Sequence, residues 1–279
     1  MDELTTLRLV DVGARGGIDP RWAPFHSCLD VIAFEPDPIE CAALNARSYP
    51  YRISHLPVAL GAANHQSATL HITRAPGCSS LLTPNQEMCG QFPFGEYMQV
   101  VKSVPVTVER MDSVVTEQPD VMKLDTQGTE LHILQGAGAL LDDTIAVELE
   151  VEFVEQYVKQ PLFADVDAFM RSKGFQLRGL RRTYWRAKAA HSHSAGGQII
   201  HGDALYFRPQ RLRSPQGLAI LAAYRQYDQL AAYGRADLIP HPGRWHELLG
   251  RLSANREMRR FIDKLRPATV TDWHDPDFY

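Results

Sequence analysis

Along this chain, apolar runs rich in branched residues alternate with glycine turns and amphipathic stretches. Leu7-Arg8-Leu9-Val10-Asp11-Val12 ends at Gly13, with Gly16 and Gly17 close behind, the pattern of a buried parallel strand entering a glycine turn. Leu29 to Phe34 is a second run, closed by Glu35-Pro36-Asp37-Pro38, where Asp37 or Pro38 can start a helix through Glu40 to Ala46. A third run, Ile53 to Leu60, stops at Gly61, and Ala68 to Ile72 follows as an outlying strand. Residues 73–103 break the rhythm with Pro76-Gly77, Pro84-Asn85 and Phe92-Pro93-Phe94-Gly95, a long loop of the kind that carries function.

Beyond that loop, Val104 to Val108 predicts a strand, Met111 to Val115 a short helix and Val121 to Asp125 a central strand. Thr126 to Gly136 then predicts a helix capped by hydroxyls, with a glycine near its end. Ile145 to Phe153 alternates strictly, which puts Glu148, Glu150 and Glu152 on one face of a strand. Three like carboxylates in a row need solvent, cations or protons. A helix over Phe163 to Ser172, a strand over Phe175 to Leu180, a polar arm from Arg181 to Gln198 and a strand over Ile199 to Phe207 complete the alternation. Helices are expected around Leu218 to Tyr233 and Asn255 to Leu265. The whole predicts an α/β fold over residues 1–213 whose sheet closes in a hairpin, and a helical C-terminal extension over 214–279.

Composition narrows the class. Of 279 residues, 44% are apolar and 22% charged, an ordinary globular balance rather than that of a disordered chain. No stretch runs 18 apolar residues without charge, and Met1 to Thr6 lacks a basic, apolar leader, so a cytoplasmic protein with no transmembrane segment is expected. Four cysteines, Cys28, Cys41, Cys78 and Cys89, have no CxxC spacing, which excludes a metal finger and predicts reduced, mostly buried thiols. The net charge of −4 hides an asymmetry, because residues 171–213 hold ten basic groups against Asp203 alone. Such a stretch is either a solvated basic surface or a docking face for an anionic partner.

The glycine turn at Asp11 to Gly17 sits at one strand end, and Glu35 ends the next strand, 24 residues after Asp11. Glycines let a backbone approach a ligand closely, and an acid at the second strand's tip can accept both hydroxyls of a ribose. Two ligands fit: a dinucleotide, or the adenosine of S-adenosylmethionine. The dinucleotide fingerprint wants glycine where this chain has Arg15, whereas S-adenosylmethionine has no phosphate and needs only a close backbone, a ribose acid and a polar end, which Asp11 and Gly13 suit. A nicotinamide-dependent oxidoreductase and a non-catalytic partner subunit are the competing readings. Nucleic acid is not an expected partner, since no Asn/Asp-Pro-Pro-Tyr motif follows the fourth strand and the balance is acidic.

Leu9-Val10-Asp11-Val12-Gly13-Ala14, Ala33-Phe34-Glu35-Pro36, Ser79-Ser80-Leu81 with Pro84-Asn85, Lys123-Leu124-Asp125-Thr126-Gln127-Gly128-Thr129-Glu130 and Leu134-Gln135-Gly136-Ala137 together resemble the FkbM-type family of S-adenosylmethionine-dependent methyltransferases. The resemblance spans residues 7 to about 208 and implies a class I, Rossmann-like methyltransferase fold, a seven-stranded mixed sheet with helices on both faces. It also implies O-methylation of a sugar or natural-product hydroxyl. One position departs, since many relatives carry Asn where this chain has Arg15. The cofactor is expected along Asp11, Gly13, Ala14, Arg15, Gly16, Glu35, Pro36, Ala59, Leu60 and Asp125, and the acceptor at Ser79, Ser80, Arg181, Arg182 and Asp203.

Methyl transfer to a hydroxyl is an in-line displacement that needs alignment and removal of a proton. Asp125 stands at the carboxyl end of a parallel strand, where open α/β sheets bind ligands; base, cofactor contact and helix cap are all open to it. Lys123 is expected to pair with a nearby acid. Glu148 and Glu150 with His201 and Asp203 make either an acid–base or divalent-metal constellation, suited to magnesium or manganese, or a plain carboxylate ladder; no metal is predicted. The catalytic candidates are therefore Asp125, Glu148 and His201. Arg181, Arg182, Arg186 and Lys188 are expected to receive a phosphate-linked saccharide or other small acceptor, His191 and His193 to lie in solvent, and the C-terminal helices to serve packing or homo-oligomerisation.

Overall fold

The computed structural model describes residues 4–189 and 196–240. In chain order its strands and helices are β1 (Leu7–Val12), β2 (Leu29–Phe34), α1 (Pro38–Asn45), β3 (Arg52–Leu56), β4 (Ala59–Gly61), β5 (Gln66–Thr73), α2 (Gln86–Cys89), β6 (Val100–Arg110), α3 (Met111–Val114), β7 (Val121–Leu124), α4 (Glu130–Gly136), α5 (Leu140–Asp143), β8 (Ala146–Glu152), α6 (Phe163–Ser172), β9 (Gln176–Trp185), β10 (Gln198–Phe207), α7 (Pro215–Ala223) and α8 (Tyr227–Ala232). Seven strands form one sheet in the order β3-β2-β1-β7-β8-β10-β9. The first five run parallel, and β10 is antiparallel to both β8 and β9. This is the class I methyltransferase sheet expected from the sequence. A second, three-stranded sheet has the order β4-β6-β5.

Side-chain alternation sorts the core into two layers. Leu7 and Leu9 of β1 join Trp22, Phe25 and α7 on one face, while Val10 and Val12 join Met122, Leu124, Ile133 and Leu134 on the other. Both layers are fully buried, which is why these strands read as continuous apolar runs.

Three expectations change. The third apolar run is two strands, because Pro57 ends pairing with β2, and β4 leaves the main sheet to pair in parallel with β6. The polar arm begins five residues later than its charge suggested, since Arg181 to Trp185 continues β9 and pairs with β10 from Asp203 to Gln198. The helical extension does not begin as an appendage: Leu218, Ala219, Ile220 and Leu221 of α7 are buried in the layer that holds Leu7 and Leu9. The predicted helix over Asn255 to Leu265, His191 and His193 lie outside the described residues, as does most of the extension. Among the described residues no helix is long and apolar enough to cross a membrane. The four cysteines are free, three of them buried.

Candidate active site

A cleft opens over the carboxyl ends of β1, β2 and β7, where the parallel strands of an open α/β sheet leave room for a ligand. Counted together with the open solvent at its mouth, its empty space is about 900 Å3. Gly13 forms its floor. With φ of +83°, a side chain there would be strained, and a Cβ would lie 2.0 Å from the carbonyl oxygen of Asp125. Glycine therefore lets the turn after β1 close directly onto the end of β7, and the Asp125 amide donates to the Val12 carbonyl at 2.9 Å.

Glu35 stands at the tip of β2, 4% exposed, and lines the cleft with Pro36 and Asp37. Its Oε1 accepts from the Asp37 amide at 2.9 Å, and Arg15 Nε lies 3.5 Å from its Oε2. Burial pushes the Glu35 carboxyl up, against the Asp37 amide and the Arg15 charge. Arg15 reaches Asp37 at 3.0 Å as well, so it folds onto the acids at this strand tip and does not fill the glycine turn. Val58, Leu60, Leu70, Ile72 and Ile133 supply the apolar wall.

Beneath the cleft, Asp11 is almost wholly buried and pairs with Lys123 Nζ at 3.5 Å across the β1–β7 register. Burial raises its carboxyl to about 6, with Lys123 opposing that rise. Lys123 thus finds the acid partner expected of it. Asp11, Ala14, Gly16, Glu148, Arg181, Arg182, His201 and Asp203 do not line the cleft, whereas Gly13, Arg15, Glu35, Pro36, Ala59, Leu60, Asp125, Ser79 and Ser80 do.

The segment after β7 differs from its predicted helical start. Gln127 has φ of +61° and Gly128 of +99°, so Thr126 to Thr129 form an elbow, and α4 begins only at Glu130. Glu130 folds back into that elbow and accepts from the Thr126 amide at 2.7 Å, the Thr126 hydroxyl at 3.0 Å and the Gly128 amide at 3.0 Å. Ser80 locks it from outside by donating to the Gln127 carbonyl at 2.7 Å. Ser80 is buried, and Ser79 accepts from the Thr73 amide at 3.3 Å, so both expected acceptor contacts are engaged in shaping the wall.

The elbow aims Gln127 at two carboxylates at once, donating to Asp125 Oδ1 at 2.9 Å and Glu150 Oε2 at 2.5 Å. The buried Tyr157 hydroxyl holds the Gln127 side-chain carbonyl at 2.9 Å. The other oxygen of Glu150 meets His201 Nδ1 at 2.8 Å. Burial disfavours charge on His201, but the hydrogen bond and charge of Glu150 outweigh it and raise the imidazole above its ordinary value. Burial and the Asp125 charge in turn push Glu150 up, while His201 pulls it back.

Glu148 does not join this group. Two residues back on β8, it accepts from Arg21 at 3.0 Å and from the Tyr224 hydroxyl at 2.9 Å, and the Arg21 guanidinium lies over the Tyr224 ring at 4.7 Å. Of the expected constellation, Glu150 is the carboxylate that meets His201, while Glu148, a catalytic candidate, is held by Arg21 and Tyr224 instead. Among the described residues no cluster of His, Cys, Asp and Glu could hold a metal ion. Much of the basic stretch is taken up by separate contacts, while Arg186 Nε is buried with no hydrogen-bond partner. Arg171 pairs with Asp167, Arg178 with Asp228, Arg181 with Asp203 at 2.6 Å and Arg211 with Asp143, while Arg182, Arg208 and Arg213 lie over aromatic rings.

Gln127, Tyr157 and Arg21 carry this geometry and were not among the sequence candidates. Gln127 stood inside the most distinctive block of the chain, but its left-handed backbone and its three partners depend on tertiary placement.

Comparison with known proteins adds the lineage. The methyltransferase FkbM domain matches residues 11–177. Among solved structures, the FkbM methyltransferase of Methylobacillus flagellatus is 17% identical with a TM-score of 0.42, covering 73% of this chain and 44% of that one. This chain thus spans less than half the length of that protein. Magnesium protoporphyrin IX methyltransferase from Synechocystis is 10% identical, with a TM-score of 0.39 over 74% of this chain and 72% of that one. Among curated proteins nothing matches.

Proposed function

The chain belongs to the FkbM methyltransferase family, and from that premise we propose that it transfers a methyl group from S-adenosylmethionine to a hydroxyl oxygen of a saccharide or other hydroxylated natural product. The observation that carries the reading is one cleft with two unlike walls: a buried ribose-type acid, Glu35, on one side and an elbow leading to a histidine–carboxylate pair on the other.

The residues present fit the cofactor. Glu35 suits two vicinal hydroxyls, Leu60, Leu70, Ile72 and Ile133 suit a flat apolar base, and Asp125 with the turn at Gly13 faces the polar end. When bound, S-adenosylmethionine supplies an electrophilic methyl group on a sulfonium. The chain's own share is alignment and proton removal. Glu150 accepts the Nδ1 proton of His201, which leaves the Nε2 lone pair free to take the acceptor's hydroxyl proton. Gln127 fixes Glu150 from its other oxygen and ties it to Asp125, so the pair is joined to the cleft through two cleft-lining residues. Incubation with methyl-labelled S-adenosylmethionine and a panel of saccharides tests this. The expected product is a base-stable methyl ether; labelled esters or amines, or no transfer, would contradict the reading.

A further inference from the structure

Next to the His201–Glu150 pair lies a group of aromatic side chains that neither the cofactor wall nor the proton path uses. Trp185, at the end of β9, has its ring edge toward His201, with centroids 6.1 Å apart. Phe94 tilts against Trp185 at 4.8 Å, Tyr97 against Phe94 at 5.2 Å, and Phe92 packs under Trp185 at 5.6 Å. Phe92 is buried, but Phe94 is 37% and Tyr97 50% exposed. These rings are fixed rather than loose. The 3-10 turn Pro93–Met98 carries Phe94 and Tyr97, the Lys188 amide donates to the Gln91 carbonyl at 2.9 Å, and the Ala75 amide donates to the Tyr97 carbonyl at 3.1 Å. Ala75 immediately precedes Pro76 and Gly77 of the cleft wall, so the group is anchored to the cleft on one side and to His201 on the other.

An exposed, braced aromatic surface at the mouth of a polar site is a recognition feature more often than an accident of packing. Its charge says what it recognises. On the strand pair that carries Trp185 and His201, Arg181 and Asp203 face each other and neutralise one another at 2.6 Å. Thr183 is the register partner of His201. Rings that take the C–H face of a ligand, bordered by a neutral donor–acceptor pair and a hydroxyl, match an uncharged polyol ring and not a phosphate.

Resting on the methyltransferase reading above, we propose that Trp185, Phe94 and Tyr97 form the acceptor subsite, and that it stacks an uncharged saccharide ring so that one hydroxyl points to His201. The subsite assigns a discriminating role to the 3-10 turn and the end of β9. Arg181 then shapes the surface through its pair with Asp203.

Saturation-transfer NMR on the full chain, with S-adenosylhomocysteine present, tests the proposal using methyl glucoside, methyl galactoside, methyl rhamnoside, glucose 6-phosphate and benzyl alcohol as probes. At least one neutral glycoside should receive saturation on its ring protons. Trp185→Ala and Phe94→Ser should each weaken that binding five-fold or more, Trp185→Tyr should retain most of it, and affinity for S-adenosylhomocysteine should change less than two-fold. Binding of S-adenosylhomocysteine with no glycoside signal would overturn the subsite, as would a signal indifferent to Trp185 and Phe94 or a preference for glucose 6-phosphate or benzyl alcohol. Trp185-dependent glycoside binding without S-adenosylhomocysteine binding would instead leave the subsite standing and overturn the methyltransferase reading.

Discussion

The surroundings of Glu35 in the cleft and of the His201–Glu150 pair are assembled by different kinds of contact. Around Glu35, every important neighbour is close in the chain or on the adjacent parallel strand: Arg15, Asp37 and Gly13 belong to the two turns that follow β1 and β2. Around His201, the neighbours come from four distant segments: the elbow with Gln127, β8 with Glu150, Tyr157 beyond it, and β9 with Trp185. The first region is a local device that a short motif specifies. The second is a tertiary device that the fold must bring together.

The contrast also runs within a single strand. Glu148 and Glu150 share a face of β8, yet Glu148 is held by Arg21 and Tyr224 in the core layer under α7, whereas Glu150 is held by Gln127 and His201 beside the cleft. One carboxylate serves the fold and the other serves the site.

The most drastic way to break the local device is Gly13→Val. A branched side chain at positive φ would also strike the Asp125 carbonyl, so thermal or urea unfolding should show a loss of more than about 3 kcal/mol. A loss below 1 kcal/mol, on the same scale of backbone effects, would contradict the close approach of turn and strand. Next, Glu148→Ala and Glu150→Gln should separate fold from site. Removing Glu148 takes a buried carboxylate partner from Arg21, which keeps Asp19, and from the Tyr224 hydroxyl, which should cost about 2 kcal/mol of stability with cofactor affinity little changed. Glu150→Gln keeps the shape but not the charge, so kcat should fall about 100-fold while the melting temperature moves little. If the two variants behave alike, the division of β8 into a structural and a functional carboxylate is wrong.

A finer effect concerns pH. His201 must be unprotonated to accept a proton, so kcat should rise with pH, and because Glu150 raises the imidazole above 6.5, the ascending limb should lie above that value. In Glu150→Gln the supporting charge is gone, and the residual limb should move to lower pH by about one unit. A limb that stays in place would show that His201 is not the group being read.

Most strand positions of the main sheet, the glycine turn and Glu35 could be read along the chain, because buried parallel strands leave apolar runs and their ends leave glycines and acids at regular distances. Where the reading slipped, a tertiary contact overrode a local pattern. Arg181 to Trp185 looked like an arm because charges dominate it, but they face Asp203 and solvent while the backbone completes the β9–β10 ladder. Thr126 looked like a helix cap, yet Glu130 captures its amide and bends the segment into the elbow. Glu148 and Glu150 share spacing and face along the chain; only their tertiary partners, Arg21 and Tyr224 for the one and Gln127 and His201 for the other, tell them apart.

The most direct test of the central claim is calorimetric titration of S-adenosylhomocysteine into the full chain and into Glu35→Ala. Tight binding by the first and a loss of about 1 to 3 kcal/mol in the second, with an unchanged melting profile, is the predicted result. No binding by the unaltered chain, or equal affinity in the two, would contradict the assignment of this cleft to the cofactor.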